Sequence, residues 1–525
     1  MARAYDNYSS LIDFTRASSG TALRPISYGD ELVTNGTFDT DSGWVKQTGW
    51  TINGGVASFN GGGGSSLLQA IGMVTGIVYE ITFDITSISS GGIRILCGFD
   101  NASQTFNSVG THTAILTRGS NNFIYFQSVA ATVASIDNVS VREVLFDQPN
   151  GTLTLFNHPT NIPRIEYDAD GNRLGLLVEE SRTNLVTYSE DFTQWSNTRS
   201  NDTANATVSP DGGTTATSFY TDNTASSSHI IKKSATITAS STNTFSVFLK
   251  ANALNHVRVL LTDTAVDDFV SAFFDLSTGT VGTTDSNGLA TFLSATIQNF
   301  GSGWYRCSIT GIVSSDTAIE TRIYLAEAGE NVVIDGDGAS GVYIWGAQLE
   351  AGSFPTSYIP TSGSTATRSA DVASIGVSEF GYNQSAFTLL MEASHLYDTF
   401  PNFNRFWELA GGGDVIRLSG DAGSLSYAHL TIGGVQQIDF SSGAATVADA
   451  NTFMKYAIGL KTNDFDIARD GSLDTGDTSI TMPDAIDTLN IGAGTSGSIP
   501  LNGHIKSIKY YPRRLTDAQL QELTS

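Results

Sequence analysis

The sequence is poor in positive charge. Its 27 Lys and Arg residues face 52 Asp and Glu residues, which gives a net charge of −25 over 525 residues. Nucleic-acid binding requires clustered basic side chains, so this balance argues against a nucleic-acid partner and against an anionic membrane surface. Solubility alone explains an acidic balance of this size. A role of the acids in substrate binding, or in calcium sites, is the alternative.

Cysteine and long apolar runs are also scarce. The two cysteines, Cys97 and Cys307, lie in alternating apolar runs far apart in the chain, which predicts two buried thiols and no disulfide. No apolar run reaches the length of a membrane span, so we expect no membrane insertion. The first residues lack the apolar segment of a signal peptide, and we therefore expect synthesis and folding in a cytoplasm.

Catalytic and metal-binding motifs are missing. The seven histidines are scattered singly, and the sequence contains no phosphate-binding loop, nucleophile elbow or zinc-protease motif. We therefore predict no catalytic residue and no cofactor other than calcium. Asp335 and Asp337, in the stretch Asp-Gly-Asp-Gly, have the spacing of calcium ligands, although the other oxygen ligands of an EF-hand loop are missing. They are candidate calcium ligands, with a simple turn as the alternative.

Helical periodicity is nearly absent before the last dozen residues. Glycine reaches 53 residues, charged residues only 15% and hydrophobic residues 40%, a composition that favours short strands joined by turns. Short alternating strands recur at the spacing typical of β-sandwiches, and the chain is long enough for several domains. We predict an all-β fold of three β-sandwich (jelly-roll) domains in tandem, with a short helix over Asp517–Leu523 that Thr516 caps.

Three stretches resemble a known family. They are FTRAS at 14–18, GLLVEESRTNLVTYSEDFTQW at 175–195 and GAQLEAGSFPTSYIPTSGSTATRSAD at 346–371, and they resemble segments of phage virion appendage proteins of the tail-fibre or head-fibre type. That family carries carbohydrate-binding-like jelly rolls. The resemblance implies a structural part of a bacteriophage virion, made in the host cytoplasm, that binds host cell-surface polysaccharide. Appendages of this kind are commonly homotrimers, so a homotrimer is expected.

Individual domains resemble known sandwiches. Asn35–Phe38 with Trp44, and the closing strand Ile136–Val141, resemble carbohydrate-binding jelly rolls, and a second block that opens at Leu185 follows the same plan. The stretch LNGHIKSIKYYPRRLTDAQLQEL, at 501–523, resembles the end of laminin-G/concanavalin-like sandwiches. The resemblances imply two carbohydrate-binding-like jelly rolls and one C-terminal lectin-like sandwich.

The domain boundaries follow from these patterns. In the family, the FTRAS and GLLVEE segments usually lie close together, whereas a whole domain separates them here, so we infer that the first jelly roll is inserted into a small joint. The predicted segments are 1–30, an N-terminal attachment arm; 31–146, the inserted jelly roll; 147–184, a joint that packs on 1–30; 185–350, the second jelly roll; 351–375, a linker rich in Ser, Thr, Pro and Gly; and 376–525, the laminin-G-like sandwich.

Exposed aromatic side chains are the strongest signal for glycan binding, because sugars stack on aromatic rings and bond to nearby polar groups. Trp50 is the first candidate, since Gly49 before it and the turn-forming Asn53-Gly54-Gly55 after it suggest a hairpin edge. For each candidate, burial in a sandwich core is the alternative. The glycan-binding candidates are Trp50, Trp44, Trp195, Trp407 and Tyr427.

The N-terminal arm supplies apolar side chains that have no core of their own. The sequence contains no heptad coiled coil, so contacts between subunits must come from the arm or from the sandwiches. We predict that the arm docks on another virion protein or on a sister subunit, and that the C-terminal sandwich points towards the host. The candidate assembly residues are Tyr5, Tyr8, Leu11, Ile12 and Phe14.

A polysaccharide-degrading enzyme of the virion, either a glycoside hydrolase or a lyase, is the alternative function. A hydrolase of this kind needs two carboxylates that flank the glycosidic bond. In this sequence Asp and Glu occur mostly in turns, without a partner at recognisable spacing. We therefore expect a binding protein and not an enzyme.

Overall fold

The computed structural model describes residues 12–99, 103–313, 317–397, 404–421, 424–441 and 450–525, and β-strands make up most of them. This confirms the predicted all-β fold. The predicted C-terminal helix is also present as α1 (Asp517–Thr524), where the Thr516 and Gln519 side chains each accept a hydrogen bond from the other's backbone N–H. In the described part of the chain, no helix is long and apolar enough to cross a membrane.

The strands follow one another along nearly the whole described chain. Up to residue 158 they are β1 (Asp13–Thr15), β2 (Gly20–Tyr28), β3 (Val45–Lys46), β4 (Trp50–Asn53), β5 (Val56–Gly61), β6 (Ser66–Ala70), β7 (Val78–Cys97), β8 (Ser103–Phe106), β9 (Gly110–Thr117), β10 (Phe123–Phe146) and β11 (Thr152–His158). From there to residue 351 they are β12 (Ile165–Tyr167), β13 (Arg173–Val178), β14 (Arg182–Asn184), β15 (Ser196–Thr198), β16 (Ser200–Thr207), β17 (Ala216–Thr221), β18 (Ile230–Thr236), β19 (Thr242–Ala251), β20 (His256–Asp263), β21 (Phe269–Asp275), β22 (Thr280–Asn287), β23 (Thr291–Asn299), β24 (Trp304–Ile312), β25 (Ala318–Ala326) and β26 (Gly341–Ala351).

The C-terminal part continues the same pattern. Its strands are β27 (Ala366–Arg368), β28 (Val372–Gly376), β29 (Ala386–His395), β30 (Asn404–Gly411), β31 (Asp414–Asp421), β32 (Ser424–Ile432), β33 (Val435–Ser441), β34 (Met454–Lys461), β35 (Asp464–Arg469), β36 (Ser472–Thr475), β37 (Thr488–Ile491) and β38 (Gly503–Tyr511). Short 3-10 helices lie at Phe192–Gln194, Val377–Phe380 and Thr495–Gly497.

The N-terminal sandwich, residues 24–159, is a compact unit of its own. Its strands β7 and β10 are long and irregular in register, and each contributes to both layers. One layer has the order β3-β6-β10-β7-β8 and the other the order β4-β5-β10-β7-β9. The core between them includes Phe83, Phe126 and Ile136, none of which is exposed. The alternation of apolar and polar residues therefore reflects inward-facing and outward-facing side chains.

The two chain stretches that flank this unit are in contact with each other. The backbone N–H of Asn161 donates to the Arg16 carbonyl oxygen over 3.1 Å, and Arg164 donates to the Thr21 carbonyl oxygen over 3.1 Å. Removal of residues 24–159, with Leu23 joined to Thr160 by a short Gly-Ser linker, should therefore leave the rest of the chain folded. We expect its melting temperature, measured by calorimetry, to change by less than about 5 °C.

A second deletion tests whether the chain tolerates the loss of the N-terminal sandwich in particular or the loss of any sandwich. Removal of residues 186–349, which form most of the middle sandwich, should give insoluble protein, because residues 353–361 would lose the side chains on which they pack. If the chain without residues 24–159 were equally insoluble, the two compact units would not be independent.

The middle sandwich, residues 185–350, consists of two six-stranded sheets. The front sheet has the order β15-β18-β25-β20-β21-β22, and the back sheet has the order β16-β17-β26-β19-β24-β23. Phe245, Val259 and Phe274 are fully buried between them. Cys307 lies in the same core, and both cysteines of the chain are buried free thiols, as the sequence predicted.

The C-terminal sandwich consists of two seven-stranded sheets. Their orders are β1-β28-β37-β30-β31-β32-β33 and β12-β13-β38-β29-β34-β35-β36. The strands β1, β12 and β13 come from the stretches predicted to be the arm and the joint, and Phe14, Leu176 and Val178 are buried in this core. Here the structure differs from the predicted small joint. Three short strands bury too little apolar surface to be stable alone, so they complete the sheets of the C-terminal sandwich.

A strap, which we define as residues 353–361, crosses the outer side of the back sheet. The Tyr358 ring packs on the Trp345 ring at 4.8 Å and on the Phe248 ring at 5.9 Å. Arg306 donates a hydrogen bond of 2.7 Å to the Thr356 carbonyl oxygen. The strap therefore covers the outer side of the back sheet at β19, β24 and β26.

A buried ionic cluster, which we define as Arg16, Arg164, Glu179, Arg368 and Asp371, lies beside the strap. Arg164 contacts Glu179 at 2.8 Å and also binds Asp371, while Arg16 binds Asp371 at 3.1 Å and Arg368 binds Glu179 at 3.1 Å. None of the five side chains is more than 1% exposed. The cluster joins residues from stretches that are far apart in sequence, and four of its five members lie in the three stretches that resemble the phage family.

Candidate functional site

The four tryptophans predicted to bind glycans are buried. Trp44, Trp50, Trp195 and Trp407 are at most 7% exposed. The indole N–H groups of the first three donate to backbone carbonyl oxygens at 3.0–3.3 Å, which satisfies the polar edge of each ring inside the core. The prediction of exposed stacking rings is therefore wrong for these four, and burial in a core, its alternative, is what the structure shows. The Tyr427 side chain lies outside the described residues.

The predicted calcium ligands form a hydrogen-bonded turn. The Asp337 carboxylate accepts hydrogen bonds from the Ser340 side chain and from the backbone N–H groups of Ser340 and Ala339, and these bonds hold its pKa well below the usual range. Asp335 accepts from the backbone N–H and the hydroxyl of Ser226. The structure thus shows the turn that was the alternative to a calcium loop. Within the described ranges, no group of three His, Cys, Asp or Glu side chains could hold a metal ion.

The candidate assembly residues divide into two groups. Phe14 is 8% exposed, and Ile12 packs against the same core of the C-terminal sandwich. Phe14 is buried in this core and is not available for docking, so the prediction is wrong for Phe14, whereas Ile12 is half-buried and stays a prediction. Tyr5, Tyr8 and Leu11 lie outside the described residues.

One face of the middle sandwich carries partly exposed aromatic and charged side chains. We define the front face as the outward-facing residues of β18, β25, β20 and β21 in the front sheet. Across neighbouring strands, Arg258 lies opposite both Phe273 and Tyr324, and Leu260 lies opposite both Ser271 and Arg322. The front face includes Lys232, Arg258, Leu260, Phe269, Ser271, Phe273, Glu320, Arg322 and Tyr324.

Arg258 occupies the centre of the front face. Its guanidinium carbon lies 5.2 Å from the centre of the Phe269 ring and 5.5 Å from that of Phe273. Two of its nitrogen atoms donate to the Ser271 hydroxyl at 3.1 and 2.9 Å, and one lies 3.5 Å from the Asp285 carboxylate. Ring faces, a hydroxyl and a carboxylate therefore fix the guanidinium in one orientation, which preorganises a planar donor between two aromatic rings.

Charge pairing organises the other half of the face. Lys232 donates to both Glu320 oxygen atoms, at 3.0 and 3.2 Å, and Arg322 binds the same carboxylate. Burial acts to raise the pKa of Glu320, but the hydrogen bonds from Lys232 and Arg322 outweigh it and hold that pKa below its ordinary value. Tyr324 lies two residues from Arg322 on the same side of β25. The Tyr324 ring therefore lies close to two cations that share one carboxylate.

A second group of ionisable side chains lies under the strap. The Tyr358 hydroxyl donates to Glu190 at 3.0 Å and lies 2.6 Å from the Ser189 hydroxyl. Burial, and the neighbouring charge of Asp211, raise the pKa of Glu190 to about 7. A carboxyl with a raised pKa beside a second carboxylate is a pattern that acid–base catalysis uses, and an ion pair or a buried structural acid can produce it as well.

The sequence contains a signal for the front face that residue type alone does not show. In β21, Phe269 and Phe273 alternate with the buried Val270, Ala272 and Phe274, so one short strand places aromatic rings on both sides of its sheet. An aromatic residue in the outward register of an alternating strand indicates a ring on the surface. A search for tryptophan misses this signal, because the face contains none.

Comparisons with known proteins give remote similarities. No protein-family model matches the chain, and a search of curated proteins finds no match. Among solved structures, the chain is similar to the tandem CBM22-1-CBM22-2 domains of Paenibacillus barcinonensis Xyn10C, with 10% identity over 64% of this chain and 99% of that chain and a TM-score of 0.22. It is also similar to domains LG4-5 of the mouse laminin alpha1 chain (9% identity, 56% and 90% covered, TM-score 0.20) and to Trypanosoma rangeli sialidase (11% identity, 96% and 94% covered, TM-score 0.24). These similarities are too low to assign a function.

Proposed function

We propose that this chain is a non-enzymatic glycan-binding protein and that the front face of the middle sandwich holds the glycan. The observation that carries the proposal is the set of Phe269, Phe273 and Tyr324 rings around the fixed guanidinium of Arg258. Aromatic rings stack on the apolar faces of sugars, while a guanidinium and neighbouring carboxylates bond to sugar hydroxyls. The central strands β19, β24 and β26 of the back sheet cannot serve in this way, because the strap covers their outer side.

We further propose that the protein is an appendage of a bacteriophage virion, that it is a homotrimer and that it binds host cell-surface polysaccharide. The three stretches that resemble phage appendage proteins support this proposal, and they supply most of the buried ionic cluster. We propose, as the sequence predicts, that the N-terminal arm docks on another virion protein or on a sister subunit and that the C-terminal sandwich points towards the host.

Ring truncation tests the glycan-binding proposal. Phe273→Ala and Tyr324→Ala should each raise the Kd for a bound glycan by about 3- to 10-fold, because each removes one stacking partner. The glycan is first identified by screening the full chain on an array of bacterial capsular and lipopolysaccharide glycans, and the Kd is then measured by calorimetry. Phe99→Ala is the matched control, since this ring is 60% exposed on the N-terminal sandwich. Unchanged affinity in both front-face variants, with their folds intact, would refute the proposed site.

Assembly has a separate test. Light scattering of the full chain should give a mass three times 55.6 kDa. A chain that lacks residues 1–11 keeps β1 and its sheet contacts, so it isolates the contribution of the arm. Monomers in both cases, together with unchanged attachment to virions, would remove the basis for the proposed role of the arm.

A polysaccharide hydrolase is the second candidate function, and Glu190 is the observation that favours it. A hydrolase needs a carboxylic acid that stays protonated near neutral pH and a second carboxylate close by, and Glu190 with Asp211 meets the first of these conditions. The test is the release of reducing ends from host polysaccharide. Release that continues with the wild-type chain and stops with Glu190→Gln would replace the binding proposal.

A further inference from the structure

The charged groups of the front face form one ion pair and one group in which two cations share a carboxylate. Arg258 lies 3.5 Å from the Asp285 carboxylate, and Lys232 and Arg322 share the Glu320 carboxylate. Each of the three cations on this face therefore already has a carboxylate partner. An anionic ligand would have to compete with these carboxylates for the cations, and its binding would cost the desolvation of both charges.

More carboxylates surround the face. Asp275 lies at the end of β21, where it is 3.8 Å from His256, and the Glu330 carboxylate accepts the backbone N–H of Thr283 at the edge strand β22. Asp285 and Glu320 contact the three cations directly, whereas Asp275 lies beside His256 and Glu330 lies beside the edge strand β22.

Carboxylates that remain partly open to solvent can accept hydrogen bonds from sugar hydroxyls. The Asp285 side chain is 55% exposed and lies at the edge of the Arg258 guanidinium. A hydroxyl group donates to a carboxylate, whereas the carboxylate or sulfate of an acidic sugar has no proton to donate and is repelled. Asp285 and Arg258 together therefore match the mixed donor and acceptor character of an uncharged sugar.

We infer that the front face selects uncharged glycans and rejects glycans that carry carboxylate or sulfate groups. This inference rests on the proposed glycan-binding function and names its ligand class. Asp285 is the specificity-determining residue, because its carboxylate lies 3.5 Å from a guanidinium nitrogen of Arg258 to which a ligand carboxylate would bind. The aromatic rings supply stacking to both ligand classes, so the charge pair alone makes the distinction.

The test uses matched pairs of polysaccharides that differ only in charge. Polygalacturonate, hyaluronan and polysialic acid are each compared with the same polymer after its carboxyl groups have been reduced to primary alcohols, by affinity electrophoresis with the full chain. We expect any pair that binds to favour its reduced member by about tenfold or more, since one charged contact is at stake. Tighter binding of an acidic member, or equal binding of both, overturns the inference and leaves the proposed function in place. Binding to no polymer of any pair, and to no glycan of the array, overturns both.

The variant Asp285→Asn makes this test more specific, because we expect it to bind acidic glycans more tightly than the wild-type chain does. Without its carboxylate partner, Arg258 can accept the carboxylate of a ligand as a bidentate pair. The variant should bind the acidic member of a pair about tenfold more tightly than the wild-type chain does. Asp484→Asn, which changes the charge of the chain by the same amount at an exposed position of the C-terminal sandwich, should have no effect. If both variants gain affinity equally, net charge and not Asp285 sets the preference, and the inference fails.

Discussion

Glu179→Gln is expected to destabilise the C-terminal sandwich by about 3–5 kcal/mol, which is the cost of breaking a buried ion pair by removing one partner. The wild-type ionic cluster has three arginines and two carboxylates, all buried. The substitution keeps the size of the side chain but leaves three arginines facing Asp371 alone. For a domain of this size, the melting temperature should fall by roughly 6–20 °C, as measured by calorimetry.

The neighbouring Glu180 offers a matched control. Glu180→Gln is the same chemical change one residue along the chain, but the Glu180 side chain is 35% exposed, whereas that of Glu179 is fully buried. Its cost should stay below about 1 kcal/mol. Equal effects of the two substitutions would mean that the buried cluster does not stabilise the fold more than a surface pair does.

A double variant separates charge balance from packing. Arg164→Met alone removes the residue that binds both Glu179 and Asp371. Combined with Glu179→Gln, it leaves two arginines and one carboxylate, which restores the original excess of one positive charge. The double variant should therefore be less destabilised than the sum of the two single variants, by about 1 kcal/mol or more. A simple sum would show that the two side chains act independently.

The alternation of apolar and polar residues was enough to predict the sandwiches, because it indicates which side of a strand is buried. In β19, the residues Phe245, Val247 and Leu249 face the core, as the alternation in this stretch implies. Trp44 and Trp195 lie just before β3 and β15, outside the strands, so alternation does not report their burial. A large apolar ring contributes more to stability inside a core than on the surface.

Neither the split origin of the C-terminal sandwich nor its ionic cluster could be predicted from local pattern. β1 is three residues long, and its partner β28 begins more than three hundred residues later in the chain. A strand this short carries no periodic signal, and its register depends on contacts that only the folded chain creates. Arg16, Glu179 and Asp371 appear in the sequence as ordinary polar residues for the same reason.

The front face was partly predictable. The outward register of Phe269 and Phe273 follows from the alternation in β21, so their exposure could have been inferred. Their role around Arg258 could not, because β20 and β21 are paired by a register that the sequence does not state. The charge pairs of this face link residues on different strands, such as Lys232 and Glu320, and likewise emerge only from the fold.

Glu190→Gln is expected to stabilise the fold, whereas Glu179→Gln destabilises it, and the stabilisation by Glu190→Gln should depend on pH. Burial and the charge of Asp211 raise the pKa of Glu190 from an ordinary value of 4.5 to about 7. The folded protein therefore holds this proton more tightly than the unfolded chain does. The stability that this provides is complete below pH 4.5 and is lost as the pH rises through 7, so above pH 7 the ionised carboxylate destabilises the fold by about 3 kcal/mol at most.

Removing the charge should remove that pH dependence. At pH 8 the Glu190→Gln chain should be more stable than the wild-type chain by about 1–3 kcal/mol in denaturant titrations, while at pH 4 the two should be nearly equal. Asp211→Asn should give part of the same gain, because Asp211 is the second cause of the raised pKa. Glu179→Gln supplies the contrast. In the wild-type chain, burial acts to raise the pKa of Glu179, but Arg368 and Arg164 hold that pKa below its ordinary value. Loss of the Glu179 carboxylate therefore destabilises the fold most at neutral pH and least in acid. If Glu190→Gln destabilised the chain at pH 8, the hydrogen bond from Tyr358 would outweigh the desolvation of the carboxylate, and Glu190 would be ionised and favourable under the strap.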